Sequence, residues 1–144
     1  MAIGGIFCDS LIHFKYFSDT EIEFRSGKDQ TDDIRLIIDQ NEIEVQIVDI
    51  AIKQQNKNQY ISLNEGWMIK SILKKLEMHY TKPSNSFWLL IYSTDFPFTD
   101  ELKEVEIISN YLKNNPHPFD MVWFLYPYAH SNVGHILKVW QSTA

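Results

Sequence analysis

Two runs of aliphatic residues, separated by a few polar positions, constrain the fold of this chain more than any other feature. Apolar side chains recur at alternate positions in residues 34–38 and again in residues 43–47. Alternation with a period of two is typical of a β-strand that buries one face. The polar pair Gln40-Asn41 between the runs predicts a two-residue turn. The sequence therefore predicts an antiparallel hairpin.

The predicted turn also sets which residues lie opposite each other. Ile37 is then expected opposite Glu44, and Asp33 opposite Val48. Because side chains alternate between faces, Asp33, Glu44 and Gln46 project from the same face of the sheet. The same register separates Asp33 from Glu44 by roughly 13 Å along the strand. A longer loop or a β-bulge would be needed to bring the two carboxylates together.

Helical patterns surround this hairpin. An apolar stretch from Cys8 to Tyr16 predicts a short first helix. Residues 65–79 carry apolar side chains at helical spacing and lysines on the solvent-facing side, which predicts an amphipathic helix. Thr99 is a suitable N-cap for a further helix that ends before Pro116. The apolar residues after Asn132 predict a short C-terminal helix.

Strand patterns complete the expected order. Residues 21–25 alternate polar and apolar, which indicates a half-buried strand. The continuous apolar runs at residues 87–92 and 119–126 are typical of strands covered on both faces. Together these patterns predict an α/β (α+β) fold with a central mixed sheet. An antiparallel N-terminal meander is followed by helix-linked parallel strands, and helices cover the sheet faces. We expect a single globular domain over residues 1–144.

Charge and composition restrict the expected partners. The net charge of −6 and the pI of about 5.3 offer no general electrostatic attraction for nucleic acid. The lone Cys8 cannot form an internal disulfide and suits a reducing compartment. No stretch approaches the ~18–20 consecutive apolar residues of a membrane span, and the N-terminus lacks the pattern of a signal peptide. We therefore expect a cytoplasmic protein with no membrane partner.

Three polar residues of the hairpin are the candidate catalytic residues. Asp33 opens the second predicted strand, and the third carries Glu44 and Gln46 as a Glu-x-Gln. Two carboxylates that converge on one sheet face can hold a divalent metal, usually Mg²⁺. A metal held in this way lowers the pKa of a bound water. Gln46 can hydrogen-bond such a water, although it brings no positive charge.

This strand order, with an acidic residue on the second strand and Glu-x-Gln on the third, resembles the PD-(D/E)XK nuclease superfamily. The family core is a helix, a three-stranded meander, a crossover helix and a further strand. The resemblance implies a Mg²⁺-dependent phosphodiesterase that acts on nucleic acid, with Asp33 and Glu44 as metal ligands and Gln46 positioning water. Where family members lack the usual lysine, one from the following helix can substitute. Lys70 is the candidate here.

The same residues also fit a surface hairpin without catalysis. Arg35 would pair diagonally with Glu44, and Gln46 would face water. Aromatic residues concentrate in the C-terminal half, and Tyr126 to Tyr128 follows a predicted strand end. Exposed aromatics on an acidic protein are typical of protein interfaces. The alternative function is therefore a small acidic interaction module, of the antitoxin, immunity or adaptor type, that binds a protein partner or forms a homodimer.

Overall fold

The computed structural model describes residues 3–26, 34–50, 67–77, 86–93, 101–128 and 131–142. The elements in these ranges are α1 (Ile3–His13), β1 (Ile22–Ser26), β2 (Ile34–Ile38), β3 (Asn41–Asp49), α2 (Trp67–Glu77), β4 (Ser86–Tyr92), α3 (Glu101–Asn114), β5 (Met121–Pro127) and β6 (Gly134–Gln141). None of the helices described is long and apolar enough to cross a membrane.

The six strands of the described ranges form one mixed sheet in which the spatial order equals the chain order. β1, β2 and β3 pair antiparallel, β3 to β5 are parallel, and β6 returns antiparallel to β5. The parallel neighbours are joined through α2 and α3, as parallel pairing requires a crossover connection. The structure thus confirms the predicted α/β (α+β) class, the N-terminal meander and the helix-linked parallel strands.

One face of the sheet packs against α1, which contacts both edge strands, β1 and β6, because the sheet is curled. We call it the α1 face. Gly4 of α1 lies so close to β1 and β2 that an added Cβ would overlap the Phe24 ring and lie 2.7 Å from Ile34 Cγ2. The buried residues at the centre of this face are Phe7, Leu11, Leu36, Val45, Leu90, Trp123 and Leu125.

The opposite face, which we call the α2/α3 face, holds a second apolar cluster. Both crossover helices contribute to it, so the sheet is covered on both sides where the parallel strands run. This coverage explains why β4 and β5 read as continuous apolar runs. The fully buried members are Met68, Ile72, Leu89, Ile91, Ile108 and Val122.

The hairpin between β2 and β3 forms as predicted, but its turn is Asp39-Gln40 and not Gln40-Asn41. Both turn residues have positive φ, 49° and 69°, as a type I′ turn requires. Arg35 consequently lies opposite Glu44, where the earlier register placed Ile37. The predicted turn was wrong because asparagine favours positive φ and pointed to Asn41, whereas the pairing of β2 with β1 and β3 sets the register and places the turn at Asp39-Gln40. A shift of two residues leaves every side chain on its predicted face.

The predicted C-terminal helix is also wrong, since those residues form β6. Ile136 packs into the α1 face and Val139 into the α2/α3 face, so the strand is covered on both sides. A short apolar run of this kind does not distinguish strand from helix by periodicity alone. The free edge of β5 decides the outcome, because β6 satisfies the backbone groups of β5 along its whole length.

The first helix was predicted correctly in kind but with later bounds. It begins at Ile3 and ends in a Schellman motif, in which Tyr16 N donates to Leu11 O (2.9 Å) and Lys15 N donates to Ile12 O (3.0 Å). Lys15 takes the left-handed position with φ 62°. A lysine at a position that favours glycine gave no signal for the end of the helix.

Candidate functional site

Glu44 and Gln46 lie on β3, half-buried, and project from the α2/α3 face. Their neighbours on β4 are Phe87 and Leu89, which belong to the apolar cluster of that face. The intervening Val45 is buried on the opposite side against α1. The predicted common face for the two polar residues is therefore present, and α2/α3 lie on the same side of the sheet.

Arg35 is the cation that this face presents to the carboxylates. It lies directly opposite Glu44 on β2, and its Nη1 donates to Glu42 Oε1 at 2.8 Å. The ion pair is thus diagonal, as the surface-hairpin interpretation expected, but with Glu42 as the partner in place of Glu44. The two-residue change in register accounts for the difference. Arg35 Nε is buried and has no hydrogen-bond partner.

The first predicted metal ligand, Asp33, lies outside the described residues. In the observed register Glu44 lies opposite Arg35, and nothing in the described residues tests a contact of Glu44 with Asp33. The roles predicted for Asp33, Glu44 and Gln46 therefore stay predictions.

Lys70, the predicted source of positive charge, is exposed on α2. Met68 and Ile72 of the same helix are fully buried in the α2/α3 cluster. At about 100° per residue, Lys70 lies on the opposite side of the helix from these two residues. Its side chain thus points away from the apolar contact between α2 and the sheet, and its role in positioning water stays a prediction.

Among the described residues there is no group of three or more His, Cys, Asp or Glu side chains arranged to hold a metal ion. On the α2/α3 face these residues supply the Glu44 carboxylate and the Gln46 amide, with the Arg35 guanidinium directly across from Glu44. The positive charge of Arg35 disfavours the binding of a metal cation by the neighbouring Glu44 carboxylate.

An acidic groove of about 620 Å³ lies at the end of the sheet where β1 begins and β2 ends. The sequence interpretation did not identify it, because its residues come from three separate turns and strand ends. One part of the groove has a local sequence pattern, the Ser-x-x-Glu of residues 18–21. In the structure Ser18 Oγ donates to Glu21 Oε1 at 2.8 Å. The lining residues of the groove are Asp19, Thr20, Glu21, Ile22, Glu23, Ile37, Asp39 and Gln40.

A buried carboxylate joins the two crossover helices. Glu104 of α3 is 1% exposed, and its Oε1 accepts a hydrogen bond of 3.2 Å from Met68 N in the first turn of α2. The amides of a first helical turn have no partner within the helix, and the helix dipole favours a negative charge there. Glu104 therefore caps α2 from a different helix, a contact that no local pattern in the sequence could indicate.

Comparison with protein-family models, with curated proteins and with solved structures found no match for this chain.

Proposed function

We propose that this chain is a non-catalytic protein-interaction module. The observation that carries the proposal is a set of three large aromatic side chains exposed in the described part of the chain. Phe14 is 42% exposed, Tyr16 is 40% exposed and Tyr128 is 43% exposed. We call these three residues the aromatic surface. Aromatic side chains are enriched at protein interfaces, where they supply most of the binding energy.

Backbone contacts bring two of these residues to one junction. Phe14 N donates to Ser10 O at 3.0 Å, and Ser10 Oγ accepts from Gly134 N at 2.9 Å. Tyr128 N donates to Val133 O next to Gly134. Phe14 and Tyr128 follow the ends of α1 and β5, and each lies one backbone hydrogen bond from the contact between Ser10 of α1 and Gly134 of β6 or its neighbour Val133.

Tyr16, the third residue of the aromatic surface, packs against a buried residue of the α1 face. Its ring packs edge to face on Trp123 with a centroid distance of 5.0 Å. The contact fixes the ring while leaving its outer side open to a partner. A fixed, exposed aromatic loses little conformational entropy on binding, which favours such residues as anchors. The net charge of −6 favours a protein over nucleic acid as that partner.

The test compares the wild type with a double variant, Phe14→Ser with Tyr128→Ser, in light scattering and in cross-linking of extract from the native cell. We expect the wild type to form a homodimer or to retain one stoichiometric protein partner, and the double variant to lose it. Asn110→Ser, an exposed change on α3, is the matched control and should keep the complex. A complex of unchanged strength in the double variant would exclude the aromatic surface as the docking site.

A second candidate function is a metal-dependent phosphodiesterase of the PD-(D/E)XK kind acting on nucleic acid. The order α1–β1–β2–β3–α2–β4 supports it, as does the common face of Glu44 and Gln46. Here Asp33 and Glu44 would hold Mg²⁺, and Gln46 with Lys70 would position the water.

Incubation with Mg²⁺ or Mn²⁺ and labelled single- and double-stranded DNA and RNA tests this candidate. Cleavage by the wild type that is lost in Glu44→Gln, and retained in the exposed control Glu106→Gln, would support it. Cleavage that continues in Glu44→Gln would remove the hairpin residues from the chemistry. A lack of cleavage in the wild type, together with no metal binding by calorimetry, would leave the interaction module as the function.

A further inference from the structure

His117 lies in the connection between α3 and β5 and contacts β6. It follows α3, and its Nδ1 accepts a hydrogen bond of 3.2 Å from Phe119 N just before β5. The backbone of Leu112, in the last turn of α3, is its second hydrogen-bond partner. Since Nδ1 accepts from Phe119 N, the neutral ring carries its proton on Nε2. Carbonyls in a last helical turn have no partner within the helix, so the contact with Leu112 is structural.

The imidazole ring also reaches the edge strand. Its centroid lies 4.4 Å from that of Trp140 on β6, with the planes at 79°. The next contact along the chain involves Asp120, whose carbonyl accepts from Ser142 N at 2.9 Å. Two residues of the α3–β5 connection, His117 and Asp120, therefore hold the end of β6.

We propose that His117 is an acid-sensitive latch that holds the carboxyl end of β6 to the connection between α3 and β5. A proton taken up from solvent at Nδ1 converts this atom from an acceptor to a donor. Nδ1–H then faces Phe119 N–H, and their hydrogen bond is lost. The imidazolium is attracted to the Asp120 carboxylate, whose Oδ2 accepts from Phe87 N at 2.9 Å in the latched state. The ring thus leaves Phe119, and its packing on Trp140 changes with it.

The surroundings of the ring set the direction of the pH response. Burial lowers the pKa of His117 from its ordinary value of 6.5, while the Leu112 hydrogen bond and the Asp120 charge act in the opposite direction. Because the folded surroundings lower the pKa of the His117 ring, the ring binds a proton more readily once its contacts with Phe119 and Trp140 are broken. The latch is therefore fully closed above about pH 6.5 and is lost as the pH falls through the lower folded-state value.

Other charged groups on the packed elements do not reverse this direction. Lys113 in the last turn of α3 is exposed. On β6, Lys138 is exposed and donates to Gln141 Oε1 at 2.9 Å. Asp120 is the carboxylate that acts on the ring. Its replacement is consequently a direct test of the electrostatics.

The test measures amide hydrogen exchange by NMR between about pH 8 and about pH 5, corrected for the intrinsic pH dependence of exchange. We expect Phe119 and Ser142 to lose protection as the His117 ring signal titrates. The Ile50 amide, which donates to Tyr92 O at 2.8 Å away from the ring, should stay protected. Titration of the ring with unchanged protection at Phe119 and Ser142 would overturn the latch.

Two variants and a control separate the latch from general acid destabilisation. His117→Gln cannot titrate, so the exchange of Phe119 and Ser142 should no longer depend on pH. Asp120→Asn keeps an oxygen acceptor for Phe87 N but removes the charge, and should move the midpoint to lower pH. His13→Gln, a change of an exposed histidine, should leave the transition in place. A transition that survives in His117→Gln, or a midpoint unmoved in Asp120→Asn, would contradict the proposal.

Discussion

Single side chains at buried positions join elements that are far apart in the sequence. Ser10 shows how: its hydroxyl donates to Ile6 O at 2.6 Å and accepts from Gly134 N at 2.9 Å, so it connects α1 to β6. Ser10 is 0% exposed. Without the hydroxyl, the buried Gly134 N–H would have no acceptor, and Ile6 O would keep only its partner within α1. The hydroxyl therefore fixes the position of α1 relative to β6.

The first prediction concerns this hydroxyl. Ser10→Ala should lower the free energy of unfolding by about 1–3 kcal/mol, because it leaves the Gly134 N–H buried without an acceptor. Urea denaturation followed by circular dichroism measures the change. Ser109→Ala on α3, where the side chain is only half-buried, is the matched control and should stay within about 0.5 kcal/mol of wild type. Equal effects of the two changes would contradict the role given to Ser10.

The second prediction at this scale concerns the thiol of Cys8. Burial, with a smaller contribution from Asp9, raises the pKa of Cys8 from 9.0 to about 11. The unfolded chain therefore loses this proton at lower pH than the folded chain, so stability falls as the pH rises from 9.0 towards 11. Thermal unfolding at a series of alkaline pH values measures the slope. The slope should decrease in Cys8→Ala, and an identical slope in that variant would show that another group is responsible.

At the scale of elements, the β2–β3 turn illustrates both the strength and the limit of sequence reasoning. Alternation gave both strands and the faces of Glu44 and Gln46, because parity does not depend on the exact turn. It did not give the register, because Asp39, Gln40 and Asn41 are all acceptable turn residues. Cross-strand pairing of β1, β2 and β3 selects Asp39-Gln40 and imposes positive φ on both residues.

Substitutions in this turn give the third prediction. Gln40→Gly should raise the free energy of unfolding by about 0.5–1 kcal/mol, because glycine adopts positive φ without strain. Asn41→Gly should lower it by a similar amount, since Asn41 is the first residue of β3 and pairs with Ile38. Chemical denaturation of both variants checks the signs. A rise in the free energy of unfolding in Asn41→Gly would indicate the Gln40-Asn41 turn, whereas Gln40 is a central residue of both turns.

At the scale of the whole molecule, the two crossover helices are held together by a charged group in an apolar layer. The carboxylate of Glu104 lies at the start of α2, between the helices that cover the α2/α3 face. Burying such a group is unfavourable unless it is hydrogen-bonded, and here it satisfies an amide of the first turn of α2. The relative position of α2 and α3 therefore depends on this residue as well as on apolar packing.

The fourth prediction follows from that contact. Glu104→Ala should destabilise the fold by about 1–3 kcal/mol, because the Met68 amide loses its acceptor and the site loses packing. Hydrogen exchange of the α2 amides should increase more than that of α1. Glu106→Ala, an exposed change two residues away on the same helix, is the control and should be close to neutral. A uniform loss of protection across both faces would argue against a specific cap.

The sequence by itself determined the α/β class, the N-terminal meander, the buried parallel strands and the common face of Glu44 and Gln46. These features depend on local periodicity, which each segment carries on its own. Only the tertiary structure decided the register of the hairpin, the partner of Arg35, the strand at residues 134–141 and the cap supplied by Glu104. Each of these depends on a partner that the chain supplies elsewhere: the free edge of β5, the neighbouring strands, or the amides of another helix. The energy of such contacts comes from pairing across space, so no single segment contains it.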